Sequence, residues 1–188
     1  MVATTRTLDE LQTHGYAVLR DAVPADAIDA ALRHIHRDIV HSGLPVEWTS
    51  QWLWSAHWFP HLKWDPPILG LLESLPPELV TGEKCDPQIL LQIPHEGDDV
   101  ELTPHVDQEP EWANGRRYAR IVGVALSPST KANGCLHAWT FDGDGTPEPV
   151  ELGTGDVVVM HPDLRHAGGV NHTGSLRYAV YFRFLPDR

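Results

Sequence analysis

The stretch Thr103-Pro104-His105-Val106-Asp107 places two metal-capable side chains two positions apart. In an extended segment residues i and i+2 project to the same face, so His105 and Asp107 can address one ion from one strand end. A third donor lies in Arg165-His166-Ala167-Gly168-Gly169, about sixty residues further on. Two histidines and one carboxylate form the facial triad that holds non-haem Fe(II) and leaves coordination positions open. His105, Asp107 and His166 are therefore the candidate metal ligands and catalytic residues. His161 competes for the third place, but it stands directly before Pro162, at the end of a strand-like run. A His-x-Asp pair alone has a plainer account, a loop whose two side chains hydrogen-bond, because a chain with twelve histidines generates such pairs easily. The late Arg177 changes that balance. It lies eleven residues after His166, where a strand, a tight turn and a return strand would bring it back toward the ion. A buried Arg is costly unless it meets an anion, and a dicarboxylate cosubstrate is such an anion.

Elements able to position these groups follow from the apolar pattern. Residues 7–13 suit a short opening helix, and Gly15-Tyr16-Ala17-Val18-Leu19-Arg20 a strand. From Ala25 to about His41, Ala27, Ile28, Ala31, Leu32, Ile35 and Ile39 recur at three- and four-residue steps, which predicts an amphipathic helix. Pro24 suits its first turn, and Gly43 with Pro45 ends it. Asp65-Pro66-Pro67 opens a second short helix over 68–75. Strand signals then follow at 88–93, 117–126, 135–141, 149–152, 156–160, 165–168 and 176–184, separated by turns such as Asn133-Gly134. Helices first and about eight short strands after them predict an α+β fold with a sandwich or jelly-roll core.

The 188 residues fit one domain. No apolar run approaches membrane-spanning length, and no apolar signal region follows Met1, so a cytoplasmic protein is expected. A formal net charge of −12 argues against nucleic acid or an anionic membrane as the main partner. Cys85 and Cys135 lack zinc-type spacing and are expected as free thiols.

The set His105-Val106-Asp107, His166 and Arg177, with Asn133-Gly134-Cys135-Leu136 between, resembles the phytanoyl-CoA dioxygenase-like branch of Fe(II)/2-oxoglutarate oxygenases. The Gly15–Arg20 opening, Gly155-Asp156-Val157-Val158-Val159 and Asn171 also look like that family, and in outline the likeness runs from about Leu8 to Phe184. It implies a double-stranded β-helix (jelly-roll, cupin-like) core over about 85–185, with the helical part of about 1–80 packed on one sheet. It implies that His105, Asp107 and His166 bind Fe(II), and that Arg177 holds the distal carboxylate of 2-oxoglutarate by a two-pronged hydrogen bond. Gln92 falls where relatives often carry a cosubstrate-touching Lys. His137 falls where they often carry an aromatic or polar residue near 2-oxoglutarate. The family's Pro-Gly-Ser-His after this point is replaced by Ala138-Trp139-Thr140-Phe141. The implied reaction consumes O2 and 2-oxoglutarate, releases succinate and CO2, and hydroxylates an unactivated C–H bond. Halogenating relatives carry a small residue where Asp107 stands, so the carboxylate points to hydroxylation or a related oxidation such as desaturation or ring closure.

Five of the seven Trp fall between Trp48 and Trp64, and Trp52, Trp54 and Trp58 are candidates for lining the substrate site as well as for plain core. His57 and His61 stand at helical spacing in the same segment without a carboxylate partner, which makes them its polar members sooner than a metal pair. The acidic residues Glu96, Asp98, Asp99, Glu101, Glu109 and Glu111 form a solvated loop or an acidic pocket rim. Either sits poorly with the phosphates of an acyl-CoA. The expected partner is a small molecule, natural-product or amino-acid-derived, acted on by a monomer or homodimer. Two rivals remain: a cupin-like isomerase or dioxygenase with the same triad and no 2-oxoglutarate, and a non-catalytic jelly-roll binding module.

Overall fold

The computed structural model describes residues 2–42, 55–56, 61–95, 103–108 and 117–186. Helix α1 (Val2–Thr13) leads into strand β1 (Tyr16–Leu19), and helix α2 (Ala25–Ser42) follows. The α2 periodicity is realised as a stripe of Ile28, Ala31 and Ile35, all buried. After β2 (Ser55–Ala56) the expected helix over 68–75 is shorter. An α-helical turn, α3 (Pro66–Leu69), tightens into a 3₁₀ turn over Gly70–Leu72. Pro76 and Pro77 allow no continuation, because proline lacks the amide that helical bonding needs. Seven strands complete the chain: β3 (Lys84–Gln92), β4 (Arg120–Ala125), β5 (Leu136–Trp139), β6 (Glu148–Val150), β7 (Val157–Met160), β8 (Arg165–Gly168) and β9 (Arg177–Phe184).

These strands make two antiparallel sheets, a six-stranded one in the order β1-β7-β4-β9-β3-β2 and a three-stranded one in the order β6-β5-β8. Alternation along each strand sorts side chains between two cores. Val122 and Val124 of β4, Val157 and Val159 of β7, and Val180, Phe182 and Phe184 of β9 join the apolar stripe of α2 on one face of the large sheet. Ile121, Ala125, Val158 and Met160 point the other way and meet Leu136, Ala138 and Val150 of the small sheet, with Leu152 just beyond it. Covered on both faces, β7 reads as an unbroken Val-Val-Val-Met run with every residue buried. Each fully buried side chain of this size contributes about 1.5–3 kcal/mol, so the two apolar layers clamp the large sheet from both sides.

The inner face of that sheet changes character at β3 and β9. Here Gln88, Gln92, Arg177, Tyr181 and Arg183 replace the aliphatic residues and line a pocket. A bulge tunes this wall. The register of β3 against β9 shifts between Cys85, opposite Arg183, and Gln88, opposite Tyr181. One extra residue at Asp86-Pro87 reverses the alternation, and so aims Gln88, Leu90 and Gln92 at the pocket and Ile89 and Leu91 at the helices.

A candidate metal centre between the sheets

The two histidine-bearing segments are neighbours through the backbone. The His105 amide donates to the His166 carbonyl at 2.9 Å, and the His166 amide returns the bond to the His105 carbonyl at 2.9 Å. This antiparallel bridge lays the His105 segment along β8 and sets the two imidazoles at a tilt of 55° with centroids 4.4 Å apart. Asp107 completes the group. Its Oδ1 lies 3.7 Å from His105 Nε2 and 3.8 Å from His166 Nε2. The three donor atoms lie within 4.8 Å of one another, an arrangement able to hold a metal ion.

The rings are turned for that purpose. His166 Nδ1 lies 3.0 Å from the Leu164 carbonyl, and His105 Nδ1 lies 3.4 Å from the Thr103 carbonyl. A carbonyl only accepts, so each Nδ1 carries the proton and each Nε2 keeps its lone pair for the centre. Burial pushes the His166 pKa down, against the opposing pull of Asp107, and favours the neutral ligand form. The second Asp107 oxygen is engaged: Arg183 Nη2 donates to Oδ2 at 3.0 Å.

Arg177 stands in the same pocket, 3% exposed. Its Nη2 donates to Gln92 Oε1 at 3.1 Å, and Gln92 Nε2 in turn donates to the Gly169 carbonyl at 2.8 Å. Asn171, fully buried, anchors the adjoining backbone by donating to the Gln92 and Ser175 carbonyls. The Tyr181 hydroxyl stands beside the guanidinium. Burial is the main force lowering the Arg177 pKa, and its Nε has no hydrogen-bond partner. A buried cation with an idle donor facing a cavity is a site prepared for an anion.

The fold thus brings together His105, Asp107, His166, Gln92 and Arg177. His137 is not among them. On β5 it projects between Leu136 and Ala138, which point into the layer between the sheets, so His137 faces the opposite side and does not line the pocket. The period-two alternation of a strand accounts for this correction. His161 also stays out of the triad: its Nδ1 accepts from the Asp163 amide at 3.2 Å and its ring packs edge-on against Phe141. His61 Nε2 is hydrogen-bonded to Asp38 Oδ1 on α2, 2.8 Å away. Trp52, Trp54, Trp58 and His57, the acidic residues 96–101, and Glu109 and Glu111 lie outside the described residues. Among the polar side chains that line the pocket, Gln88, Tyr181 and Arg183 are not marked by the motifs of the sequence. Tyr181 and Arg183 share the parity of Arg177 on one strand, a signal that was available. Gln88 reaches the pocket only because of the bulge.

Comparison with known proteins agrees with this geometry. The family model described as Phytanoyl-CoA dioxygenase (PhyH) matches residues 56–179. No curated protein sequence matches the chain. Among solved structures, AviO1 from Streptomyces viridochromogenes Tue57 superposes with a TM-score of 0.71 at 21% identity, over 97% of this chain and 94% of that one. The epimerase SnoN, crystallised with Fe3+, alpha ketoglutarate and nogalamycin RO, gives 0.69 at 18% identity, over 98% and 84% of the two chains. The non-haem alpha ketoglutarate dependent carbocyclase SnoK, from nogalamycin biosynthesis, gives 0.68 at 14% identity, over 96% and 83%.

Proposed function

The chain belongs to the phytanoyl-CoA dioxygenase family, and on that premise we propose that it is an Fe(II)- and 2-oxoglutarate-dependent oxygenase acting on a small organic molecule. The observation that carries the reading is Arg177, a buried guanidinium with a free Nε, in the same pocket as the His105-Asp107-His166 cluster. A metalloenzyme using the triad without a keto acid has no need of that cation. In this reading the two sheets are the double-stranded β-helix of such oxygenases, and residues 1–188 act as one catalytic unit.

The donor set suits the metal: two neutral imidazoles and one carboxylate favour Fe(II) and leave positions open. Bound there, Fe(II) would supply the redox chemistry that couples O2 reduction to decarboxylation of 2-oxoglutarate and oxidation of the substrate, with succinate and CO2 released. His105, Asp107 and His166 hold the ion. Arg177 pairs with the distal carboxylate of the cosubstrate, and Gln92 fixes the guanidinium by its Oε1 while the Gly169 carbonyl fixes Gln92. Keeping a carboxylate at position 107 leaves no vacant place for halide, which puts hydroxylation of an unactivated C–H bond first. The resemblance of the fold to SnoN and SnoK supports a natural-product substrate, and keeps epimerisation and ring closure beside hydroxylation as outcomes of the same oxidising centre.

An anaerobic titration of the metal-free protein with Fe(II) and then 2-oxoglutarate tests the reading. A keto acid chelated to Fe(II) gives a weak visible charge-transfer band. The band is expected in the wild type and in His161→Ala, and is expected to vanish in His166→Ala. Fe(II) binding without a band would refute 2-oxoglutarate use, and no metal binding at all would refute the centre.

A further inference from the structure

Asp107 is a carboxylate with two different neighbourhoods. Oδ1 faces both histidine Nε2 atoms, whereas Oδ2 faces Arg183 at 3.0 Å. A carboxylate beside a cation can bind through one oxygen or through both, and where the carboxylate is largely shielded from water, as Asp107 is, its second oxygen must be satisfied by the ion or by a donor. We propose that Arg183 is a positioning residue that occupies Oδ2, restricts Asp107 to one-oxygen ligation, and so keeps a coordination position open after the cosubstrate has bound. This rests on the oxygenase reading above.

Three features make Arg183 a fixed device and not a passing surface contact. Its side chain is only 11% exposed and that of Asp107 9%, so the pair is largely shielded from water. Both protons of its Nη2 are used, one on Asp107 Oδ2 and one on Gln88 Oε1 at 3.1 Å. Its guanidinium carbon also sits 6.0 Å from the centroid of the Tyr118 ring. The β3 bulge aligns Gln88 with this anchor, because without the extra residue Gln88 would face the helices. Strand β9 therefore delivers two arginines to one pocket from one face. Arg177 has an idle donor and waits for an anion, while Arg183 already has one in Asp107.

The test counts coordinated waters on the Mn(II)-loaded protein by water-proton relaxation, before and after 2-oxoglutarate. Mn(II) is six-coordinate, so three single-oxygen or nitrogen ligands leave about three waters, and about one once the keto acid has chelated. In Arg183→Met the freed Oδ2 closes onto the ion, leaving about two waters and then about none. Nitric oxide, an O2 surrogate, is expected to bind the Fe(II)·2-oxoglutarate form of that variant about tenfold or more weakly. Arg183→Lys keeps a donor on Oδ2 and is expected to restore both readouts. A purely structural role would lower melting temperature and metal content without changing the water count. About two waters in the wild type would overturn the inference without any variant. Wild-type water counts and nitric oxide binding in Arg183→Met would overturn it as well. If the Met variant fails to fold, the wild-type count and Arg183→Lys decide. Failure of the wild type to bind Mn(II) or Fe(II) would bring down the oxygenase reading along with it, whereas each other adverse result removes Arg183 alone.

Discussion

Replacing Arg177 by Met separates a binding residue from a structural one, because the two roles predict opposite balances. Met fills much of the same volume and removes the charge. In the unliganded protein Arg177 is 3% exposed, its pKa is lowered chiefly by burial, and its Nε is unpartnered. Its removal therefore relieves a desolvation penalty that can reach several kcal/mol for a buried ion. Against that, Gln92 Oε1 loses its donor and the buried Tyr181 hydroxyl loses its guanidinium partner, which costs about 1–3 kcal/mol for each buried group left unsatisfied. The two terms nearly offset, and the stability of Arg177→Met without ligand is expected within about 2 kcal/mol of wild type, of either sign.

Binding of 2-oxoglutarate moves the other way. Loss of one partner from a buried hydrogen-bonded charge pair costs about 2–5 kcal/mol, or about 30-fold to several thousandfold in affinity. Urea unfolding of the metal-free protein measures the first quantity. Isothermal titration of the Mn(II)-loaded protein with 2-oxoglutarate measures the second, and the ligand-induced rise in melting temperature checks it independently. Affinity retained within about threefold, or a loss of unliganded stability beyond about 4 kcal/mol, would refute the reasoning. The first outcome would mean that Arg177 meets no anion, and the second that the fold already uses its charge.

Further outcomes follow from neighbouring groups. Gln92→Leu leaves Arg177 Nη2 and the Gly169 carbonyl unpaired, and should cost about 1–3 kcal/mol in urea unfolding and also weaken 2-oxoglutarate binding. Gly134 has φ +80°, and a Cβ there would lie 2.5 Å from the Gly169 carbonyl oxygen; Gly134→Ala should destabilise by more than about 1 kcal/mol and, by displacing the acceptor of Gln92, weaken cosubstrate binding without touching it. His14 is subject to a burial penalty, but its hydrogen bonds to Asp142 and Glu148 outweigh it and raise its pKa. Its stabilising contribution is thus complete below the unfolded value of about 6.5 and is lost as pH rises through the higher folded value. The stability gap between wild type and His14→Gln should be largest near pH 5.5, at most about 1 kcal/mol for so exposed a pair, and shrink by pH 9. Burial, with Glu151 adding to it, pushes the Cys135 thiol up to about 11, so iodoacetamide at pH 8 should leave Cys135 unmodified in the native protein and alkylate it in urea.

What was readable in the chain depended on whether a side chain's partner lay within a regular period. The α2 stripe and the Val-Val-Val-Met run are local patterns that appear in the structure as their periods predict, whereas His105 and Asp107 converge although Asp107 already lies in the turn that follows the His105 bridge. The meeting of His105 with His166 is long-range. Only the chemistry of the ligand set links them in the sequence, and an antiparallel bridge supplies the contact. His137 shows the opposite case: it stands near the motif in sequence, but Leu136 one residue earlier has the inward parity. Gln88 was unreadable because a bulge resets parity, and nothing in Asp86-Pro87 states that the pair will absorb one residue and not end the strand. Arg183 carries a signal in the sequence. It shares parity with Arg177, and a buried carboxylate of a triad needs a donor for its second oxygen as surely as a buried guanidinium needs an anion. An ion reached by one Asp107 oxygen implies a partner for the other, and a strand that already carries one arginine inward can carry another six residues on.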